Sequence, residues 1–82
     1  MRMSYYKELK RMNRYVEDKI RKYKEISAKQ LIYQATNTFE VSTKAVKERI
    51  RLLIEIGKVE DVGGQLVWLE WLETQKKASK KE

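Results

Sequence analysis

Residues 41–60 read VSTKAVKERIRLLIEIGKVE, and the rest of the chain is interpreted outward from this stretch. Ser42 stands just before a run whose apolar members Val46, Ile50, Leu53 and Ile54 recur at helical spacing, so its hydroxyl is placed to cap the first turn. Gly57 stops that run, because glycine takes up the left-handed conformation of a helix end without steric cost. Beyond it, Lys58-Val59-Glu60-Asp61-Val62 alternates like a half-buried strand, and Gly63-Gly64 supplies the positive φ angles of a two-residue hairpin turn. The spacing predicts a helix over residues 43–56 and a β-hairpin whose second strand returns over residues 65–71. In that strand Leu66 and Trp68 face one side while Val67, Leu69 and Trp71 face the other, so both faces are expected to be covered. Trp68, Leu69, Trp71 and Leu72 also suit the start of a helix, and periodicity leaves this boundary open.

Upstream, Phe39 and Val41 bracket a tight connection. Before it lies a helix capped by Ser27, with Leu31, Ile32 and Ala35 inward and Asn37-Thr38 at its end. Glu25-Ile26 reads as a short break with a few residues of edge strand. A first helix, capped by Ser4 and running over residues 4–24, places Tyr5, Leu9, Met12, Val16, Ile20 and Tyr23 in one stripe at about 100° per residue. Residues 75–82 (QKKASKKE) offer nothing to bury and are expected to be mobile. The predicted class is mainly α with a small β-hairpin. Its parts are a basic amphipathic helix (1–25), a core (26–72) and a basic tail (73–82).

A chain of 82 residues supports one domain with a modest core. The absence of cysteine and histidine removes disulfides, zinc-thiolate sites, Cys-His nucleophilic pairs and imidazole acid-base chemistry. A non-catalytic protein with no metal and no cofactor is expected. No apolar run approaches the roughly 20 residues that span a bilayer, and no apolar segment with a cleavage site opens the chain; a cytoplasmic protein without a membrane partner is the expectation. The net charge is +7, and its distribution is uneven. Residues 1–24 hold nine Lys/Arg against three acids, residues 25–75 six against eight, and residues 76–82 four against one. The basic character lies at the two ends.

The sequence ISAKQLIYQATNTFEVSTKAVKERIRLLIEIGKVEDVGGQLVWLEW, residues 26–71, resembles a winged helix-turn-helix domain in its order of strand, helix, turn, helix and hairpin. The residues that carry the resemblance most specifically are Val41-Ser42, Val46, Arg49-Ile50, Leu53, Gly57 and Val59. It implies a three-helix fold with a two- or three-stranded wing, whose third helix enters the major groove of double-stranded DNA while the hairpin touches neighbouring phosphates. A role in transcription regulation would follow if sequences were discriminated. The hairpin departs from that pattern. Glu60, Asp61 and Gln65 surround its Gly-Gly tip, where a DNA-reading wing would carry Lys or Arg.

On the third helix Lys44, Lys47 and Arg51 recur opposite the apolar positions, with Thr43 in the first turn. Arginine can grip guanine and lysine can contact phosphate. The bland alternative is a solvated face on which Glu48 pairs with Lys44 and Glu55 with Arg51. On the first helix Lys7, Lys10, Arg11, Arg14, Arg21 and Lys22 oppose the apolar stripe, a pattern suited to a phosphate backbone or simply to solubility. Leu9, Val16 and Tyr23, seven residues apart, would also suit a homodimer seam, although Ile20 breaks a strict heptad. Tyr23, Phe39 and Trp68 are expected in the core. Tyr5, Tyr6, Tyr15, Tyr33 and Trp71 are undetermined, and an exposed Trp71 beside Leu69 and Leu72 would mark a protein-interaction patch. Lys76, Lys77, Lys80 and Lys81 would add nonspecific attraction to nucleic acid. Ser4, Ser27 and Ser42 read as caps, and Glu60-Asp61 as solvated acids. The partner expected is nucleic acid, DNA before RNA, with no small-molecule substrate. A contrasting expectation is a small interaction subunit of a nucleoprotein, polymerase or ribosome-type assembly, which the acidic balance of residues 25–75 favours.

Overall fold

Serine caps open the two central helices. Ser27 Oγ accepts from the Gln30 amide at 3.4 Å and Ser42 Oγ from the Ala45 amide at 3.1 Å, both with extended backbone at the cap, which satisfies donors that the first helical turn cannot. The computed structural model describes the backbone of residues 2–80 and the side chains of residues 5–75. Its elements are α1 (Arg2–Tyr23), β1 (Glu25–Ser27), α2 (Ala28–Thr38), α3 (Thr43–Glu55), β2 (Val59–Val62), β3 (Gln65–Trp68) and α4 (Leu69–Lys80). The architecture is mainly helical with a small antiparallel sheet, in the order β1-β3-β2.

The sheet's register follows from the turn and the apolar alternation. Gly63 and Gly64 have φ of +59° and +88°, the two positive values that a tight hairpin turn needs, so Val62 pairs with Gln65 and Val59 with Trp68. β1 adds to the other edge of β3, with Ile26 opposite Leu66. Leu66 and Trp68 meet Met12, Val16 and Ile20 of α1, Leu31 and Ala35 of α2, Val46, Ile50 and Leu53 of α3, and Val59 in a single core. Val67 is buried on the opposite face of the sheet, between its cross-strand neighbours Glu25 and Glu60. Tyr15 is partly buried, with its ring edge-on to Phe39 at 5.2 Å between centroids, and so ties α1 to the α2–α3 turn.

Several local expectations give way to tertiary context. α1 begins at Arg2, so Ser4 lies within the helix and does not cap it; no helix breaker precedes Ser4 to stop the turn from extending. Tyr23, expected inward, is 52% exposed. It is the last residue of α1 and borders an open cleft beside β1, after which Lys24 adopts a left-handed φ of +69° and its carbonyl accepts the Trp68 amide at 2.8 Å. Ile54 is 37% exposed, because it sits about 100° round the helix from Leu53 and off the packed stripe. The returning strand ends at Trp68, not at Trp71. The last register pair is Val59 with Trp68, and one more cross-strand bond, from the Leu69 amide to the Lys58 carbonyl at 3.0 Å, follows it before the chain enters the helix.

The chain then turns into α4. Residues 69–80 contain no glycine or proline and consist mostly of good helix formers, with Thr74 Oγ1 donating back to the Glu70 carbonyl at 2.9 Å. The backbone of residues 75–80, expected as part of a mobile tail, is thus helical. The side chains of Lys76, Lys77 and Lys80, and all of Lys81, lie outside the described residues, as does their expected contact with phosphates. No helix among the described residues is long and apolar enough to cross a membrane.

Candidate nucleic-acid interface

α3 is fixed by one side and leaves the other open. Val46 and Leu53 are fully buried and Ile50 nearly so, which turns Thr43, Lys44, Lys47 and Arg51 into solvent, where all four are exposed. Among the described residues none of these three cations takes part in an ion pair. The alternative pairs Lys44–Glu48 and Arg51–Glu55 do not form. In both the base precedes the acid at i,i+4, the weaker order for a helical pair because it opposes the helix dipole. Glu48 and Glu55 are exposed on the same helix and lower its positive field without occupying its cations.

The fourth cation of α3 serves differently. Arg49 Nη2 donates to Glu17 Oε1 of α1 at 3.0 Å, and Lys58 Nζ donates to Glu17 Oε2 at 3.1 Å. The Arg49 and Glu17 side chains are only 20% and 21% exposed. One carboxylate thus joins α1, α3 and the segment entering the hairpin. Charge-assisted contacts of this kind, half removed from water, are worth more than surface pairs. The sequence carries a signal for them: Arg49 follows Val46 by three residues and Glu17 follows Val16 by one, so each charge borders a buried stripe and needs a partner.

All six α1 candidates, Lys7, Lys10, Arg11, Arg14, Arg21 and Lys22, are exposed. Arg21 donates to Asp18 at 2.7 Å, and Arg11 stands 3.7 Å from Glu8. Lys22 lies over the Tyr23 ring at 5.7 Å and Lys19 at 5.2 Å, within cation-π range. Lys7, Lys10 and Arg14 have no acidic partner among the described residues. Lys10, Arg11 and Arg14 border a cleft of about 400 Å³ against Tyr15 and Phe39. Two further clefts along this helix bring it together with Arg49 and with Thr38 and Glu40, and neither is lined by Lys44, Lys47 or Arg51. Val16 of the suggested dimer seam is fully buried within the chain's own core.

The hairpin tip has a structural acid. Asp61 Oδ1 accepts the Gly64 amide at 3.0 Å, so this side chain, expected to be merely solvated, closes the turn as aspartate does in such loops. Trp71 is partly buried and packs on the edge of the core, and Leu69 and Leu72 are partly buried beside it in sequence. The expected patch around Trp71 and Leu72 is therefore reduced by the first turn of α4. The apolar side chains left exposed lie elsewhere, at Tyr5, Tyr6, Tyr23, Tyr33, Leu52, Ile54, Ile56 and Val62. No group of three or more acids capable of holding a metal ion occurs among the described residues.

No protein-family model, curated protein or solved structure matches this chain.

Proposed function

We propose that the chain is a winged helix-turn-helix protein that binds double-stranded DNA without catalysis, with α3 as its reading helix. The observation that carries this reading is the free cationic side of α3. Its exposed Lys44, Lys47 and Arg51 have no acidic partner among the described residues, although acids are within one helical turn. The path α1-β1-α2-α3-β2-β3, with β1 on the outer edge of β3, supports the family resemblance of residues 26–71. A helix about 20 Å long, held by one buried stripe, has the dimensions to lie in a major groove about 12 Å wide. Arg51 and Lys47 would meet base edges or phosphates, and Thr43 in the first turn would reach a base.

A second reading, a non-catalytic docking subunit of a larger assembly, is favoured by Leu52, Ile56 and Val62, large apolar residues left exposed near an acidic hairpin. Salt titration separates the two. Affinity for a generic duplex should fall steeply between 50 mM and 200 mM salt, by roughly tenfold or more if three or more phosphates are neutralised. Lys47→Glu combined with Arg51→Glu should weaken duplex binding by at least about 100-fold while circular dichroism stays unchanged, since both positions are exposed. Unchanged affinity in that variant would remove α3 from the interface. No duplex binding at low salt would favour the docking subunit.

A further inference from the structure

The cations of α1 and those of α3 point in different directions, and the Glu17 contacts show how far apart. Arg49 is the α3 residue that reaches α1. Lys47 and Arg51 each lie two residues from it and therefore point about 160° away around the helix, and Lys44 about 140° away. The candidate reading face of α3 is thus turned from α1. On α1, Val16 is fully buried, and Lys7, Arg11, Arg14 and Arg21 point about 140° or more away from it, Lys10 and Lys22 about 120°. Both basic faces look outward from one core, and Glu17, Arg49 and Lys58 occupy the seam between the two helices.

From this geometry we infer that the outward face of α1 is a second phosphate-binding surface, independent of α3, through which one molecule holds a second duplex segment. The inference rests on the reading of α3 given above. Its chemistry is specific to a polyanion. From Lys7 to Lys22 the cations extend over about 22 Å, with Asp18 the sole acid on that face and already bound to Arg21. Lys10 and Arg14, like charges at i,i+4, repel each other slightly in the free helix and gain by sharing an anionic partner. Among the described residues no large apolar side chain lies between the cations themselves, the exposed Tyr6 and the partly buried Tyr15 and Phe39 standing at the border of the face, whereas the centre of a protein–protein interface is apolar; contact with phosphates requires no apolar surface. A duplex backbone is therefore the occupant that fits.

The test uses the full chain and two short duplexes of unrelated sequence, one labelled with a donor dye and one with an acceptor, at 0.15 M salt, where the Debye length of about 8 Å keeps the two faces from influencing each other at long range. The wild type should bring the duplexes together while sedimenting as a monomer when no DNA is present. Lys10→Glu with Arg14→Glu should raise the protein concentration needed for energy transfer at least tenfold, yet change affinity for a single duplex by no more than a few-fold. An α1 variant that bridges as well as the wild type overturns the inference, as does wild-type protein that never bridges or bridges only as a preformed dimer. If the α1 variant loses single-duplex binding altogether, both faces share one duplex and the second surface does not exist. Failure of the α3 reading has its own signature: Lys47→Glu with Arg51→Glu would then bind a single duplex with wild-type affinity, which also removes the two-face geometry.

Discussion

On α1 the acids nearest the basic face are occupied, Asp18 by Arg21 and Glu8 by Arg11, whereas on α3 Glu48 and Glu55 stand among three cations and pair with none of them. Both helices bury one apolar stripe and present charge on the other side, so the difference does not come from packing. In α1 each acid precedes its base by three residues, the order that the helix dipole favours; in α3 the i,i+4 pairs run the other way. Order permits a pair without compelling it, since Glu48 also precedes Arg51 by three residues and no contact forms. Exposed pairs are worth about 1 kcal/mol or less. The one acid between the helices that is held firmly, Glu17, is half-buried and grips two cations.

The contrast between inner and outer sides can be broken most forcefully within α3 itself. Leu53 is fully buried and its neighbour Leu52 is 44% exposed, so Leu53→Ala should lower unfolding free energy by about 2–5 kcal/mol and Leu52→Ala by no more than about 0.5 kcal/mol. Urea titration of both variants gives the comparison, and equal losses would mean that the packed stripe is assigned wrongly.

A smaller effect is expected at the seam. Glu17→Ala leaves the half-buried Arg49, whose Nε already has no partner among the described residues, without its carboxylate. It should cost about 1–3 kcal/mol, between the values for exposed and fully buried pairs. Asp18→Ala, which frees an exposed arginine, should cost no more than about 1 kcal/mol. Similar losses for the two would deny Glu17 its role in holding α1 to α3.

The smallest change sharpens the comparison at the helix starts. Ser42→Ala removes the cap bond of 3.1 Å to the Ala45 amide and should cost about 1 kcal/mol. Ser27→Ala, with a cap bond of 3.4 Å, should cost less. Thermal unfolding of the pair reads the order directly, and the reverse order would show that cap length is not what sets the penalty.

Much of the fold was legible in local pattern. Val46, Ile50 and Leu53 repeat at helical spacing and are buried; Ser27 and Ser42 precede helices and cap them; Gly63-Gly64 makes the turn expected of it. For the candidate site, periodicity was enough to turn Lys44, Lys47 and Arg51 outward, because a helix has one direction for its core and the rest for solvent. Whether Glu48 and Glu55 pair with those cations was open in the sequence, because such pairs rest on interactions of less than about 1 kcal/mol, too weak for spacing to decide.

What the sequence determined by itself, then, is what each residue does relative to its own helix or strand: cap, turn, buried stripe or charged side. These depend on backbone geometry within a few residues and need no distant partner. The tertiary structure alone decided which neighbour each side meets. It ended β3 at Trp68, where α4 takes over the chain, left Tyr23 in solvent at the end of α1, and packed Trp71 on the core. It also brought Glu17 to Arg49 and Lys58 across 32 and 41 residues of chain. Contacts so far apart in sequence form only when the whole core closes, and that closure is what turned the two basic faces away from each other.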